Sequence, residues 1–240
     1  MPRTKIMRMI FVMAGTVIGL LFLLFFTACG DSQPTSSAET HSSTASPPAD
    51  STTSSTTSPG THTITIDGHT LTVPDGLTIE RWVSGRDTLR MMAVTDDGLL
   101  LVTEMGKGNV LGYDLAEDRP QPITVVKGLS HPSGITMHDE FLFVAEETSI
   151  LRYEYKGAGT IGEKQTIIAG LPSGGHATRT IGVGPDRRLY LAVGSSCNIC
   201  EETDARRAAL SRCNLDGSGC EVFASGLRNT VGFTWQPLTG

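Results

Sequence analysis

From Leu89 onward, short apolar runs alternate with turn residues every eight to twelve positions. The runs "LRMMAV", "LLLVT", "NVLGY" and "ITVVK" are followed by "GITM", "FLFVA", "SILRY" and "TIIA", and then by "TRTIGV", "LYLAV", "ALSRC" and "CEVFA". Most are β-branched or aliphatic and are bounded by Gly, Pro, Asn or Asp. None has a helical apolar period, so the pattern predicts an all-β chain.

The twelve runs keep a common phase. Gly128-Leu129, Gly170-Leu171 and Gly226-Leu227 each follow the fourth strand of a set, and Gly85 holds the matching place before the first, at intervals of 43, 42 and 56 residues. A four-stranded unit recurring at about 40 to 50 residues is the signature of a β-propeller blade. The third interval is longer because "SSCNICEETDARR" is inserted between the second and third strands of its set. After the third set, "TVGFTW" reads as the first strand of a fourth blade, and the sequence reaches Gly240 in a turn-like "QPLTG". Propellers close with about 4 to 8 blades, so the count predicts three blades and one strand of a ring whose remainder lies outside this chain. Ahead of the sets, "THTITIDGHTLTVPDGLTIERWV" carries a hairpin signal at Asp67-Gly68 and then one more strand, expected to pair into the last blade of a closed ring.

Residues 61–240 therefore form the partial propeller, and the sequence before it has a different character. Residues 1–29 begin with Arg3, Lys5 and Arg8, continue through an apolar run from Met9 to Phe26, and end in "TAC" at Cys29. This is the layout of a bacterial export signal and resembles the lipobox of a lipoprotein precursor, in which Cys29 is lipidated. The alternative is an uncleaved anchor, since about 20 apolar residues span a bilayer. Both place the rest of the chain outside the cytoplasm, tied to the cell membrane. In the linker that follows, 30–60, 17 of the 30 residues from Asp31 to Gly60 are Ser or Thr, too polar to offset the entropy of ordering. A net charge of −6 without a basic cluster beyond the signal argues against nucleic acid as a partner.

In a propeller, the connections from strand four to the next strand one, and from strand two to strand three, emerge on one face. The unusual segments all fall in such connections. Seven residues separate Gly128 from Ile135 and Gly226 from Phe233, whereas eleven separate Gly170 from Ile181. The lengthened loop, "GLPSGGHATRT", carries His176 behind two glycines that let the backbone turn sharply. The insert overhangs the same mouth, as does Arg228. His131, in "GLSHPSGI", has no such lengthening and is read as structural.

The cysteines Cys197, Cys200, Cys213 and Cys220 are spaced C-x2-C-x12-C-x6-C. A zinc site calls for a second close pair, and the wide last gap breaks that pattern. Outside the cytoplasm two disulfides are expected instead: Cys213 with Cys220 across the turn "NLDGSG", and Cys197 with Cys200 as a staple within the insert. No P-loop and no G-x-G-x-x-G opening a helix is present, which argues against a nicotinamide cofactor.

The run from "LPSGGHATRTIGVGPDRRLYLAVGSSCNICEE" through "VFASGLRNTVGFTWQPLTG" resembles the L-sorbosone dehydrogenase and soluble aldose dehydrogenase family, most specifically in its "GGH" loop and its "GLRN". That resemblance implies a six-bladed propeller carrying pyrroloquinoline quinone (PQQ) and calcium. It implies that His176 is the general base and that Arg228 and Asn229 contact the cofactor. It also implies that the calcium ligands fall beyond Gly240, so no metal ligand is assigned here and activity of this chain by itself is in question. The partners implied are a small sugar substrate and an external electron acceptor. The residue types suit oxidation of a hydroxyl-bearing carbon, because neutral imidazole can take the proton and a guanidinium can grip a carboxylate. The alternative is a non-catalytic extracellular propeller that binds sugars or a protein, since fold does not decide function.

Overall fold

The structure is a computed structural model and describes residues 60–236. The export signal with Cys29, the linker other than Gly60, and residues 237–240 lie outside the described residues.

A hairpin comes first, β1 (Thr61–Ile66) paired antiparallel with β2 (His69–Pro74). Asp67 and Gly68 both take positive φ, 53° and 78°, as a two-residue turn matched to strand twist requires. Three four-stranded antiparallel meanders follow. The first comprises β3 (Leu89–Val94), β4 (Leu99–Glu104), β5 (Asn109–Asp114) and β6 (Ile123–Val126). The second comprises β7 (Ile135–His138), β8 (Phe141–Ala145), β9 (Ser149–Glu154) and β10 (Gln165–Ala169). The third comprises β11 (Arg179–Val183), β12 (Leu189–Val193), β13 (Ala209–Cys213) and β14 (Glu221–Ser225). In every sheet the pairing of the third and fourth strands is broken by a register shift, which twists the outer edge.

The repeat is also a repeat of backbone conformation. Gly85, Gly128, Gly170 and Gly226 have φ of 71°, 73°, 69° and 79°, the left-handed region that costs glycine no Cβ clash. Each therefore turns the chain in the same way at the same point of the unit. β7 lies against both β3 and β11, so the first strands of successive sheets stand side by side. This is a propeller-like arc of three sheets.

Strand alternation builds the core between sheets. Along β8, Leu142 and Val144 belong to one cluster with Leu101 and Val110, while Phe143 and Ala145 belong to another with Leu189, Leu191 and Val193. Because successive side chains point to opposite faces, one strand serves both interfaces. Its apolar sequence, "FLFVA", is the signature of a sheet covered on both sides.

Two expected strands are absent. Residues 77–88 form no strand; instead Trp82 and Val83 pack against Val102, Leu111 and Tyr113 on the outer face of the first sheet. The Trp82 indole N–H donates to the Glu117 carbonyl at 3.3 Å. Residues 230–236, "TVGFTW" and Gln236, also form no strand. The rings of Phe233 and Trp235 pack edge-on to each other, and Trp235 packs on Tyr190, while Gly182 and Gly184 leave room for the indole. In both cases the apolar pattern is satisfied by side-chain burial. A strand also needs a neighbouring edge for its backbone groups, and none pairs with these segments among the described residues.

The turns between first and second strands fasten neighbouring sheets. Asp97 of the first accepts from the Tyr155 hydroxyl of the second at 2.9 and 3.1 Å, and from the Ala158 N–H. Arg187 of the third pairs with Asp139 of the second. Burial pushes the Asp97 carboxyl up, but hydrogen bonds from Thr95, Ala158 and Tyr155 outweigh it and hold the group below its ordinary 3.8. A lowered folded-state value means the stabilisation is complete above 3.8 and is lost as the pH falls through the lowered value. Asp97→Asn is expected to cost about 1 kcal/mol near neutral pH, a modest figure because the carboxylate is exposed. Urea unfolding should show the gap between parent and variant closing as the pH drops below 3.8; a constant gap would contradict the assignment.

Candidate functional site

Three connections meet at one place. The loop from β10 to β11 carries His176, the insert between β12 and β13 starts at Gly194, and Arg228 and Asn229 follow β14. The His176 N–H donates to the Ser195 carbonyl at 2.9 Å, and the Ser195 N–H donates to the Arg228 carbonyl at 2.8 Å. Ser195 is thus the backbone rung between the histidine loop and the arginine segment. Its hydroxyl donates to the Cys197 carbonyl at 2.6 Å, which turns the chain into the insert.

Two glycines make this approach possible. A Cβ on Gly194 would lie 2.5 Å from the His176 Cβ and 2.8 Å from Asn229 Oδ1. A Cβ on Gly175, which has φ of 63°, would lie 2.6 Å from the backbone of Ser195 and Ser196. His176 and Asn229 therefore close on the same bare stretch of backbone. The imidazole makes no side-chain hydrogen bond to the described residues.

Arg228 is held by the insert. Its Nε donates to the Asn198 carbonyl at 3.1 Å and its second terminal nitrogen donates to Asn198 Oδ1. Asn198 lies inside the loop closed by the disulfide between Cys197 and Cys200, so that staple limits where the guanidinium can point. The other disulfide joins Cys213 at the end of β13 to Cys220 before β14. It sits across the turn at the far end of these strands and takes no part in the site.

Beneath the His176 loop lies a second layer. Arg179, at the start of β11, is fully buried. It donates to the His176 carbonyl at 3.0 Å, to Thr178 at 3.2 Å, and to the Pro172 carbonyl. Burial brings its guanidinium down to about 10, opposed by the Glu147 carboxylate and helped by the charge of Arg207; it remains protonated at neutral pH. Its backbone is tied to the second sheet, since the Arg179 N–H donates to Ser133 Oγ at 2.8 Å and that hydroxyl donates back to the Arg179 carbonyl at 3.1 Å. The Ser133 carbonyl in turn accepts from Thr103 of the first sheet at 2.9 Å. This chain of bonds runs through all three sheets and fixes the histidine loop to them. His131, two residues before Ser133, is exposed.

Residues 71–240 match the family model described as TrAA12-like. The chain belongs to the TrAA12-like family. An uncharacterized protein of Borreliella burgdorferi is 26% identical over 184 residues, covering 71% of this chain and 47% of that protein. The holo form of the pyranose dehydrogenase PQQ domain from Coprinopsis cinerea superposes with a TM-score of 0.58 at 24% identity, covering 64% of this chain and 42% of that one. The calcium structure of the Family AA12 protein from Trichoderma reesei gives 0.56 at 19%, covering 63% and 44%. These likenesses to solved structures show the fold. The chain spans about half the length of the relatives it matches.

Within this TrAA12-like chain, the donors at the mouth are of the kind that grip an anionic group. Arg228 offers an exposed guanidinium fork and Asn229 an amide, beside the Gly194 backbone on which His176 and Asn229 close. Among the described residues no group of three or more His, Cys, Asp or Glu converges to hold a metal ion. Periodicity does not reveal the neighbours of His176 and Arg228: Arg179, Arg207 and Ser133 donate to backbone carbonyls, and Asn198 accepts from the Arg228 guanidinium.

Proposed function

We propose that the protein oxidises an aldose, or a related sugar aldehyde of the sorbosone type, with PQQ as its cofactor and an external electron acceptor. The observation that carries this reading is the convergence of His176, Arg228 and Asn229 on the Gly194–Ser195 backbone, in a member of the TrAA12-like family. The similarity of the fold to a PQQ domain named as pyranose dehydrogenase supports the cofactor class.

PQQ, when bound, supplies an electrophilic quinone that accepts hydride from a hydroxyl-bearing carbon. Arg228 would hold a carboxylate of the cofactor through charge-assisted hydrogen bonds, and Asn229 would add an amide contact beside it. A free ring nitrogen of His176 takes the substrate hydroxyl proton as the carbon gives up its hydride, so that a carbonyl forms. The bond that the His176 N–H donates to the Ser195 carbonyl keeps the imidazole at the mouth while this happens. The three sheets belong, in this reading, to a six-bladed ring, and the protein acts outside the cytoplasm, held to the membrane through Cys29.

The test is reconstitution of the full-length gene product with PQQ and calcium, followed by dye-linked oxidation of a panel of aldoses and sugar aldehydes. PQQ-dependent reduction of the dye by at least one of them is expected. Binding of sugars without any PQQ-dependent turnover would replace this reading with that of a binding propeller.

A further inference from the structure

Resting on the reading of His176 as the base, we infer that Arg207 of the cysteine-rich insert is a positioning residue: it holds the lengthened loop so that His176 is presented at the mouth. The loop has few backbone partners of its own. Between residues 170 and 178, and among the described residues, only the Leu171 N–H, bonded to Thr148, and the His176 N–H, bonded to Ser195, donate to backbone carbonyls outside the loop. The loop carbonyls are taken by arginines instead. Arg207 donates to Gly174 at 3.2 Å and to Ser173, and also reaches the Gly194 carbonyl at 3.4 Å. One guanidinium therefore spans the two residues before Gly175-His176 and the glycine against which His176 packs.

The neighbouring arginine of the insert completes the hold. Arg206 donates to the Gly170 carbonyl at 3.0 Å while paired with Asp204 at 2.7 Å, and hydrogen bonds from Arg206 bring the Asp204 carboxyl down to about 2. From the other side, Glu147 accepts from the Gly174 N–H at 2.8 Å. The run "DARR" is thus the matching half of the four extra loop residues. A loop of this length without secondary structure would sample many conformations. Five donors in a rigid fork are what can tie several carbonyls at once, which a single ammonium cannot do.

The experiment compares the parent full-length gene product with Arg207→Ala and Arg207→Lys by amide hydrogen exchange and by PQQ-loaded kinetics. In Arg207→Ala, exchange at residues 174–176 should rise about tenfold or more, while the β12 amides stay protected and report that the variant is folded. The turnover number should fall about tenfold, with PQQ affinity and KM each changed by less than about twofold. Arg207→Lys should recover part of both losses. Unchanged exchange at 174–176 in Arg207→Ala overturns the proposal. So does a turnover number kept in Arg207→Ala when His176→Ala loses it. If exchange rises but His176→Ala is itself fully active, the hold of Arg207 on the loop stands and it is the base assignment that falls.

Discussion

His176→Ala, in the full-length gene product saturated with PQQ and calcium, is expected to lower the turnover number by about 10² to 10⁴ and leave PQQ affinity almost unchanged. The two effects separate because of where the residue sits. Its side chain makes no hydrogen bond to the described residues, so alanine removes a proton acceptor without unpairing any protein group. The backbone bond to Ser195 survives the substitution, and so does the link from Ser195 to Arg228. The cofactor contacts should therefore stay in place while the chemical step loses its base. Stopped-flow reduction of the bound quinone by an aldose measures that step directly. A variant as fast as the parent would remove His176 from the mechanism.

Arg228→Ala should act on the opposite quantity. Losing a charge-assisted contact to a carboxylate costs about 1.5 to 3 kcal/mol, or about ten- to a hundredfold in PQQ affinity, with turnover at saturation much less affected. In the structure two of the guanidinium donors are taken by Asn198, which pre-orients the side chain and reduces the entropy lost on binding. Arg228→Lys should recover little, because a point charge cannot grip Asn198 and a carboxylate in one plane. Fluorescence titration of the apoprotein with PQQ gives the shift. Equal affinity in parent and variant would take Arg228 out of the cofactor site.

The twelve strands of the three sheets were legible because burial on both faces writes itself into the sequence as short apolar runs, and the phase glycines mark a left-handed turn that few other residues take easily. "TVGFTW" and the segment around Trp82 carry the same apolar pattern yet form no strand, since the pattern reports burial and not the presence of a hydrogen-bonding edge. The lengthened loop and the insert, by their lengths alone, pointed to the place where His176, Ser195 and Arg228 meet. Arg179, Arg207 and Asn198 left no such trace: each serves carbonyls or a single guanidinium, and any carbonyl looks the same in a sequence. One sign was available, the pair of arginines in "DARR" at the end of an insert expected at the same mouth as the lengthened loop. Ser133 was less accessible still, for its partner lies 46 residues away in the next sheet.

In the proposed function the lengthened loop, the disulfide-stapled insert and the segment after β14 form one cofactor-binding mouth. Hydrogen exchange of the full-length gene product, with and without PQQ in the presence of calcium, tests it most directly. Added PQQ should slow exchange together at residues 174–178, 194–200 and 226–230, while the Asp97, Asp139 and Arg187 turns exchange as before. Protection confined to those turns, or absent from all three mouth segments despite measured binding, would contradict the account.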